Sequence, residues 1–271
     1  MDNPHTGVTI RAHHQEAIDA LVCQLRDDPS NLAIIIAGSV AKGVAREDSD
    51  IDCYLVVNDE EFEARKQRDQ LFYFAREGCD YPGGYYDGKI IPYRFLEEAA
   101  VRGSEPTRAS FDKAFVVFSR IFGLDDLIAR IPIYPEQNRE RNFQDFFAQV
   151  ELYGGYFAER AIALGNAYLL TYAIGQVVLF SGRLLLAYNR VLFPCHKSLQ
   201  GVLRTLPLIP DRYFELQEEL LRSPDKESIR AFVACIRSFH DWGIAPHEAV
   251  SRFIQNNEWN WLDGEPPLSD R

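Results

Sequence analysis

Hydrophobic positions change their spacing near residue 134, and that change divides the chain into two kinds of structure. Before it the apolar stretches are short. Residues 11–28 carry apolar positions at helical spacing and predict an amphipathic helix, after which Leu32-Ala33-Ile34-Ile35-Ile36-Ala37 predicts a buried strand. Asp50 to Val57 predicts a second strand, the charged stretch from Asp59 to about Glu77 a helix, and the Gly- and Tyr-rich stretch Asp80 to Gly88 a loop. Lys89 to Phe95 and Ala114 to Phe118 complete a small mixed sheet, closed by a short helix around Leu124 to Ile131. Pro132 and Pro135 mark a boundary. Beyond it the apolar period is helical over Gln137 to Leu164, Ala167 to Val191, Lys197 to Leu206, Arg212 to Leu221, Lys226 to Trp242 and Pro246 to Asn256. The expected fold class is α+β, with a small mixed-sheet domain over residues 1–133 and an all-α helical bundle over 134–271, whose tail from Asp263 to Arg271 is expected to fray.

The turn between the first two strands carries the chemistry. Gly38 and Gly43 lack a Cβ, so the backbone of Gly38-Ser39-Val40-Ala41-Lys42-Gly43 can turn tightly and approach a ligand closely. The Ser39 hydroxyl and nearby amides are donors for phosphate oxygens, and Lys42 adds a cation. Asp50 and Asp52 are two apart at the opening of a strand and so project to the same face. Two such carboxylates repel unless a cation lies between them, and hard oxygen ligands suit Mg²⁺. A P-loop does not fit, because Val44 stands where that motif requires a Lys after Gly43.

Gly38-Ser39, Gly43 and Ser49-Asp50-Ile51-Asp52 together resemble the Gly-Ser…Gly…Asp-x-Asp signature of the polymerase-β-like nucleotidyltransferase superfamily. The second half, including Tyr188-Asn189-Arg190 and Phe193-Pro194-Cys195-His196-Lys197, is similar to the helical domain of the two-domain aminoglycoside and lincosamide nucleotidyltransferases. The resemblance implies a catalytic nucleotidyltransferase domain followed by a helical substrate-binding or lid domain. It implies that Asp50 and Asp52 are catalytic and hold Mg²⁺, and that Gly38, Ser39, Lys42, Ser49 and Lys197 bind the nucleotide. An acceptor hydroxyl would attack the α-phosphorus of ATP or another nucleoside triphosphate, with pyrophosphate leaving. AMP is the group expected to move, and an aminoglycoside-like antibiotic is one acceptor of the implied kind.

Members of that superfamily usually take a third carboxylate from a later strand. The strand read here as Lys89-Ile90-Ile91-Pro92-Tyr93-Arg94-Phe95 holds no acid, and Pro92 and Arg94 occupy the alternating positions where one is expected. Asp87, read as a turn residue before Gly88, is one substitute; Glu151 or Glu159 of the helical half is another. The alternatives are therefore a nucleotide-binding regulatory pseudoenzyme with a degenerate third carboxylate, or an enzyme that adenylylates a protein. Arg183 and Arg190, seven apart on one predicted helix, are further phosphate or ion-pair candidates. Tyr85, Tyr86 and Tyr93 are candidates to stack on a ring, while Tyr153, Tyr156, Phe157, Tyr168 and Tyr172 read as helical core.

Composition narrows the partners. A formal charge of −11 over 271 residues argues against a nucleic-acid surface, which rests on Lys and Arg neutralising phosphates. The expected partners are a nucleoside triphosphate and a small-molecule hydroxyl acceptor, with a homodimer as a further option. Five scattered cysteines with no Cys-x-x-Cys spacing indicate neither a disulfide framework nor a zinc site, and fit a cytoplasmic protein. His13 and His14 read as surface residues rather than metal ligands, since adjacent helical positions face different ways. The opening Met1-Asp2-Asn3-Pro4-His5 lacks signal-peptide blocks, and the apolar stretch from Tyr168 to Leu192 is interrupted by Gln176, Ser181 and Arg183, so no membrane span is expected.

Overall fold

Five strands form one mixed sheet in the N-terminal unit of the computed structural model, which describes residues 9–262 and 264–270; Met1 to His5, Asp263 and Arg271 lie outside the described residues. The strands are β1 (Asn31–Ile36), β2 (Ile51–Val57), β3 (Phe72–Ala75), β4 (Tyr86–Pro92) and β5 (Phe115–Ser119), in the order β3-β4-β2-β1-β5. β1 runs antiparallel to β2 and β5, and β3 antiparallel to β4; β2 and β4 are parallel, with Asp52 opposite Asp87. The helices of this unit are α1 (Ala12–Leu25), α2 (Gly38–Lys42), α3 (Asp59–Gln67), α4 (Tyr93–Arg102), α5 (Glu105–Ser110) and α6 (Leu124–Arg130).

The sheet is buried on both faces. Ile18 and Leu21 of α1 pack with Ile34, Ile36, Ile51 and Leu55 on one side, while Leu96, Phe111, Leu127 and Ile131 pack with Ile35, Tyr54 and Val56 on the other. That double cover explains why β1 reads as a continuous apolar run rather than an alternating one.

Three sequence readings need correction. The helix expected from Asp59 to about Glu77 ends at Gln67, where Asp69 takes a left-handed conformation and the chain returns as β3. Propensity for the helix is overruled there by Phe72, Tyr73 and Phe74, which pair along β4. The strand expected over 89–95 is β4 over 86–92, and Arg94 belongs to α4, paired with Glu63 at 2.8 Å rather than standing on a strand. Gly88 is a strand residue and not half of an Asp-Gly turn: a Cβ there would lie 2.9 Å from the Tyr73 Cβ and 3.1 Å from the Cys53 sulfur, so neighbouring strands leave no room for a side chain.

The second unit begins at Pro135 and is helical. α7 (Arg139–Leu152), a π-helical turn (Tyr153–Ala158) and α8 (Glu159–Leu164) run continuously; α9 (Ala167–Tyr188), α10 (His196–Leu203), α11 (Tyr213–Arg222), α12 (Lys226–Phe239) and α13 (Ala249–Phe253) follow. A Cβ on Gly154 would lie 2.5 Å from a Val233 methyl, which explains a glycine inside a helix as a contact point with α12. α9 is long and apolar enough to cross a membrane by length and composition; it supplies Ile174, Val177, Leu184, Leu185 and Leu186 to the core of this unit, beside Phe143, Phe147 and Phe232. Of the tyrosines read as core, Tyr153 is buried, but Tyr156, Tyr168 and Tyr172 are exposed, Tyr172 meeting Tyr153 and Tyr156 meeting Phe157 only edge-on.

Candidate active site

Where β1 ends, the Ala37 amide donates to the Asp52 carbonyl, tying the turn that follows to the opening of β2. Gly38 then adopts a φ of +64°, and a Cβ at that position would fall 1.8 Å from an Asp52 carboxylate oxygen. The glycine is therefore required by Asp52 itself. Gly43 closes α2 in the left-handed conformation, its amide bonding back to the Ser39 and Val40 carbonyls.

Asp50, Asp52 and Asp87 come together on one face of the sheet, each half-buried, with a carboxylate oxygen from each within 4.8 Å of the others. Register explains the cluster: in the parallel pair Asp52 lies directly opposite Asp87, and Asp50 precedes Asp52 by one pleat on the same face. Of the three substitutes the sequence offers for a third carboxylate, the one that joins the cluster is Asp87, on a strand and not in the expected turn. It was hidden because the strand bearing it begins three residues earlier than its apolar core indicates, and aromatic Tyr86, buried with its hydroxyl donating to the Ala17 carbonyl at 2.7 Å, was the available signal.

A cleft of about 90 Å³ opens beside the acids, lined by Gly38, Lys42, Asp52, Asp87, Lys89 and Ser110 among others. Lys42 is held by Asp112 at 3.4 Å, and Lys89 lies 5.5 Å from the centre of the Tyr54 ring, so two ammonium groups border the acidic cluster. Tyr54 is fixed by Ser110, 2.6 Å from its hydroxyl, which in turn donates to the Thr107 carbonyl. The Ser49 hydroxyl accepts the Arg46 amide, and the Tyr81 hydroxyl donates to the Ser49 carbonyl, so this residue shapes the turn that presents Asp50. The Tyr85 hydroxyl donates to the Asp50 carboxylate, and that hydrogen bond first and the carboxylate's charge next hold the phenol above its ordinary range. Cys53, between the acids in sequence but facing the core, has its thiol pushed up to about 12 by burial first and by Asp52 and Asp87 next.

The donor set fits a hard divalent cation: three carboxylates converge from adjacent strands, among the described residues no sulfur or imidazole joins them, and such oxygen ligands are the Mg²⁺ pattern. His14 is buried rather than on the surface, its ring 4.2 Å from that of His13 and 5.2 Å from Tyr81, and burial depresses its pKa.

The candidates of the second unit are differently employed. Glu151 is buried and receives Arg237 through two bonds of 3.1 and 2.7 Å, and Glu159 accepts Arg230 at 2.8 Å, so both acids hold the bundle together. Arg183 lies between the Phe146 and Phe193 rings, 4.5 Å from each centre. Arg190 falls beyond the end of α9 and pairs with Glu136, so the two arginines do not share a helix face. Lys197 is exposed on the first turn of α10.

Comparison with known proteins agrees with this geometry. Residues 18–91 match the family model described as a nucleotidyltransferase domain, a span that reaches from α1 through β4 and contains all three acids. A crystal structure of a nucleotidyltransferase-like protein from Exiguobacterium sibiricum shares the fold, with a TM-score of 0.50 at 13% identity over 95% of this chain and 80% of that one. No curated protein matches the sequence. Residues 18–91 thus carry a nucleotidyltransferase domain, a match that supports a place for the N-terminal unit in the polymerase-β-like superfamily.

Proposed function

We propose that the protein is a Mg²⁺-dependent nucleotidyltransferase that moves a nucleoside monophosphate, AMP from ATP, onto a hydroxyl of a small molecule. The observation that carries this reading is the convergence of Asp50, Asp52 and Asp87 beside a glycine turn and two lysines. The three carboxylates would hold the metal, which when bound neutralises phosphate charge and orients the triphosphate for in-line displacement. Gly38 keeps the backbone clear of Asp52, and Lys42, on the same side of β2, supplies a cation for the departing pyrophosphate. The acceptor oxygen bonds to the α-phosphorus as the bond to pyrophosphate breaks, and its proton passes to a carboxylate of the cluster. Asp87 suits that role, because β4 lies beyond β2 from the Gly38 turn.

With Asp87 in the cluster, the motive for reading the chain as a pseudoenzyme falls away. An aminoglycoside-like acceptor and a role for Lys197 rest on the resemblance of the helical half alone. The test is calorimetric titration of ATP and the other nucleoside triphosphates with and without Mg²⁺, followed by an acceptor screen for pyrophosphate release. Asp50→Asn, Asp52→Asn and Asp87→Asn are each expected to lower release by about a thousandfold, on the order of 4 kcal/mol of transition-state stabilisation. Full activity in any of the three would sink the assignment.

A further inference from the structure

The acid-bearing face does not end at Asp87. β3 pairs antiparallel with β4 so that Phe74 is opposite Asp87 and Phe72 opposite Lys89, which puts both rings on the same face as the carboxylates. Both are more than half exposed, at 58% for Phe72 and 52% for Phe74, on an edge strand where exposed apolar residues are ordinarily avoided. Their ring centres are 6.3 Å apart, and Tyr85, whose hydroxyl donates to Asp50, lies 5.4 Å from Phe74. The Arg76 guanidinium stands 5.8 Å from the Phe74 centre and 5.9 Å from that of Tyr85. A row of π faces, with Arg76 beside Phe74 and Lys89 opposite Phe72, therefore runs outward from the metal acids, on the flank opposite the Gly38 turn.

From this placement we infer that Phe72, Phe74, Tyr85 and Arg76 form the acceptor subsite, and that the acceptor is a hydroxyl compound bearing a flat aromatic ring. The inference rests on the nucleotidyl-transfer reading and deepens it. In an in-line displacement the attacking oxygen enters opposite the departing pyrophosphate. With Lys42 and the glycine turn on the β1 side of Asp52, the entering side is that of β4 and β3, where the rings lie. A planar ring stacks on Phe74 and Tyr85 while its hydroxyl reaches Asp87, and Arg76 favours an electron-rich or anionic ring. The same arginine disfavours a polyammonium acceptor, which would bring cation against cation. Among the acceptors of the implied kind, the row thus selects against aminoglycosides.

Saturation-transfer NMR with phenyl β-D-glucopyranoside as the probe tests this, using wild type, Phe74→Ala and Phe72→Ala/Phe74→Ala, with kanamycin as the polyammonium comparison. Transfer to the phenyl protons in wild type, weakened about tenfold or more in apparent affinity by Phe74→Ala, is expected, since the variant removes one stacked ring. Transfer that is absent, equal in the variants, or stronger for kanamycin overturns the subsite. Sedimentation of the same samples covers the rival occupant: a wild-type dimer lost in the double variant would assign the row to a second copy and overturn the proposal. Calorimetric MgATP binding by wild type keeps the two readings apart. If MgATP fails to bind while the probe binds, the nucleotide reading fails and the aromatic subsite stands.

Discussion

Asp52 can occupy its place only because residue 38 has no side chain. Gly38→Ala would set a methyl group into the carboxylate and also strain a backbone at φ +64°, so the variant is expected to move Asp52 by about an ångström. Misplacement on that scale costs roughly a hundredfold in rate, which a pyrophosphate-release assay reads directly; a drop of less than threefold would mean that the turn yields instead. Asp50 and Asp52 were legible in the sequence because both the signal and its consequence are local: a spacing of two on a strand fixes a shared face. Asp87 was not, because its meaning comes from a parallel partner whose register nothing in Tyr85-Tyr86-Asp87-Gly88 states. The Asp-Gly pair favoured a turn, and only the crowding of Gly88 by Tyr73 and Cys53 reverses that reading.

At the scale of elements, helix ends in the N-terminal unit depend on one buried cation. Arg108 of α5 donates to the carbonyls of Ala100, Val101 and Gly103 at the end of α4 and to those of Ile131 and Ile133 after α6. Arg108→Met keeps most of the volume and orphans these acceptors, so a loss of about 3 kcal/mol or more is expected in urea unfolding followed by circular dichroism. A loss under about 1 kcal/mol would show that water replaces the guanidinium. The seating of α1 carries a pH dependence. His14 is buried among His13, Tyr81 and Arg11 with its pKa depressed by burial first, so below about 6.5 the unfolded chain takes up a proton that the folded one resists. Its contribution is complete above that pH and is lost as pH falls. His14→Gln should accordingly show a shallower fall in melting temperature between pH 7 and pH 5.5 than wild type, and an equal or steeper fall would refute the assignment. Strand β3 was illegible from pattern because Arg65 to Arg68 continue a helical charge pattern up to the turn at Asp69; only the aromatic alternation after it marks the strand.

For the whole molecule, a charge of −11 sets the long-range field, while Lys42 and Lys89 set the local one. A triphosphate approaching such a surface is repelled until a divalent ion offsets its charge, and an extended polyanion meets that repulsion along its full length. No mobility shift of duplex DNA or tRNA is expected at 0.1 M salt and protein concentrations of about 10 μM; a shift at that salt would reopen a nucleic-acid role. The division into an α/β part and a helical part was readable from the change in apolar period, because each part keeps its own core and a period reports the surface an element buries. What the helical side chains do was not readable, since Glu151 and Glu159 look free in sequence and acquire their arginines only from α12. The parallel pairing of β2 with β4 has one last consequence, for insertions and deletions. A residue added between Tyr86 and Asp87 would push Asp87 into the place of Gly88, where Tyr73 and Cys53 leave no room for a side chain, and so would disrupt the strand together with the site. Length variation after Tyr85 is therefore governed by the parity of the strand that carries the third carboxylate.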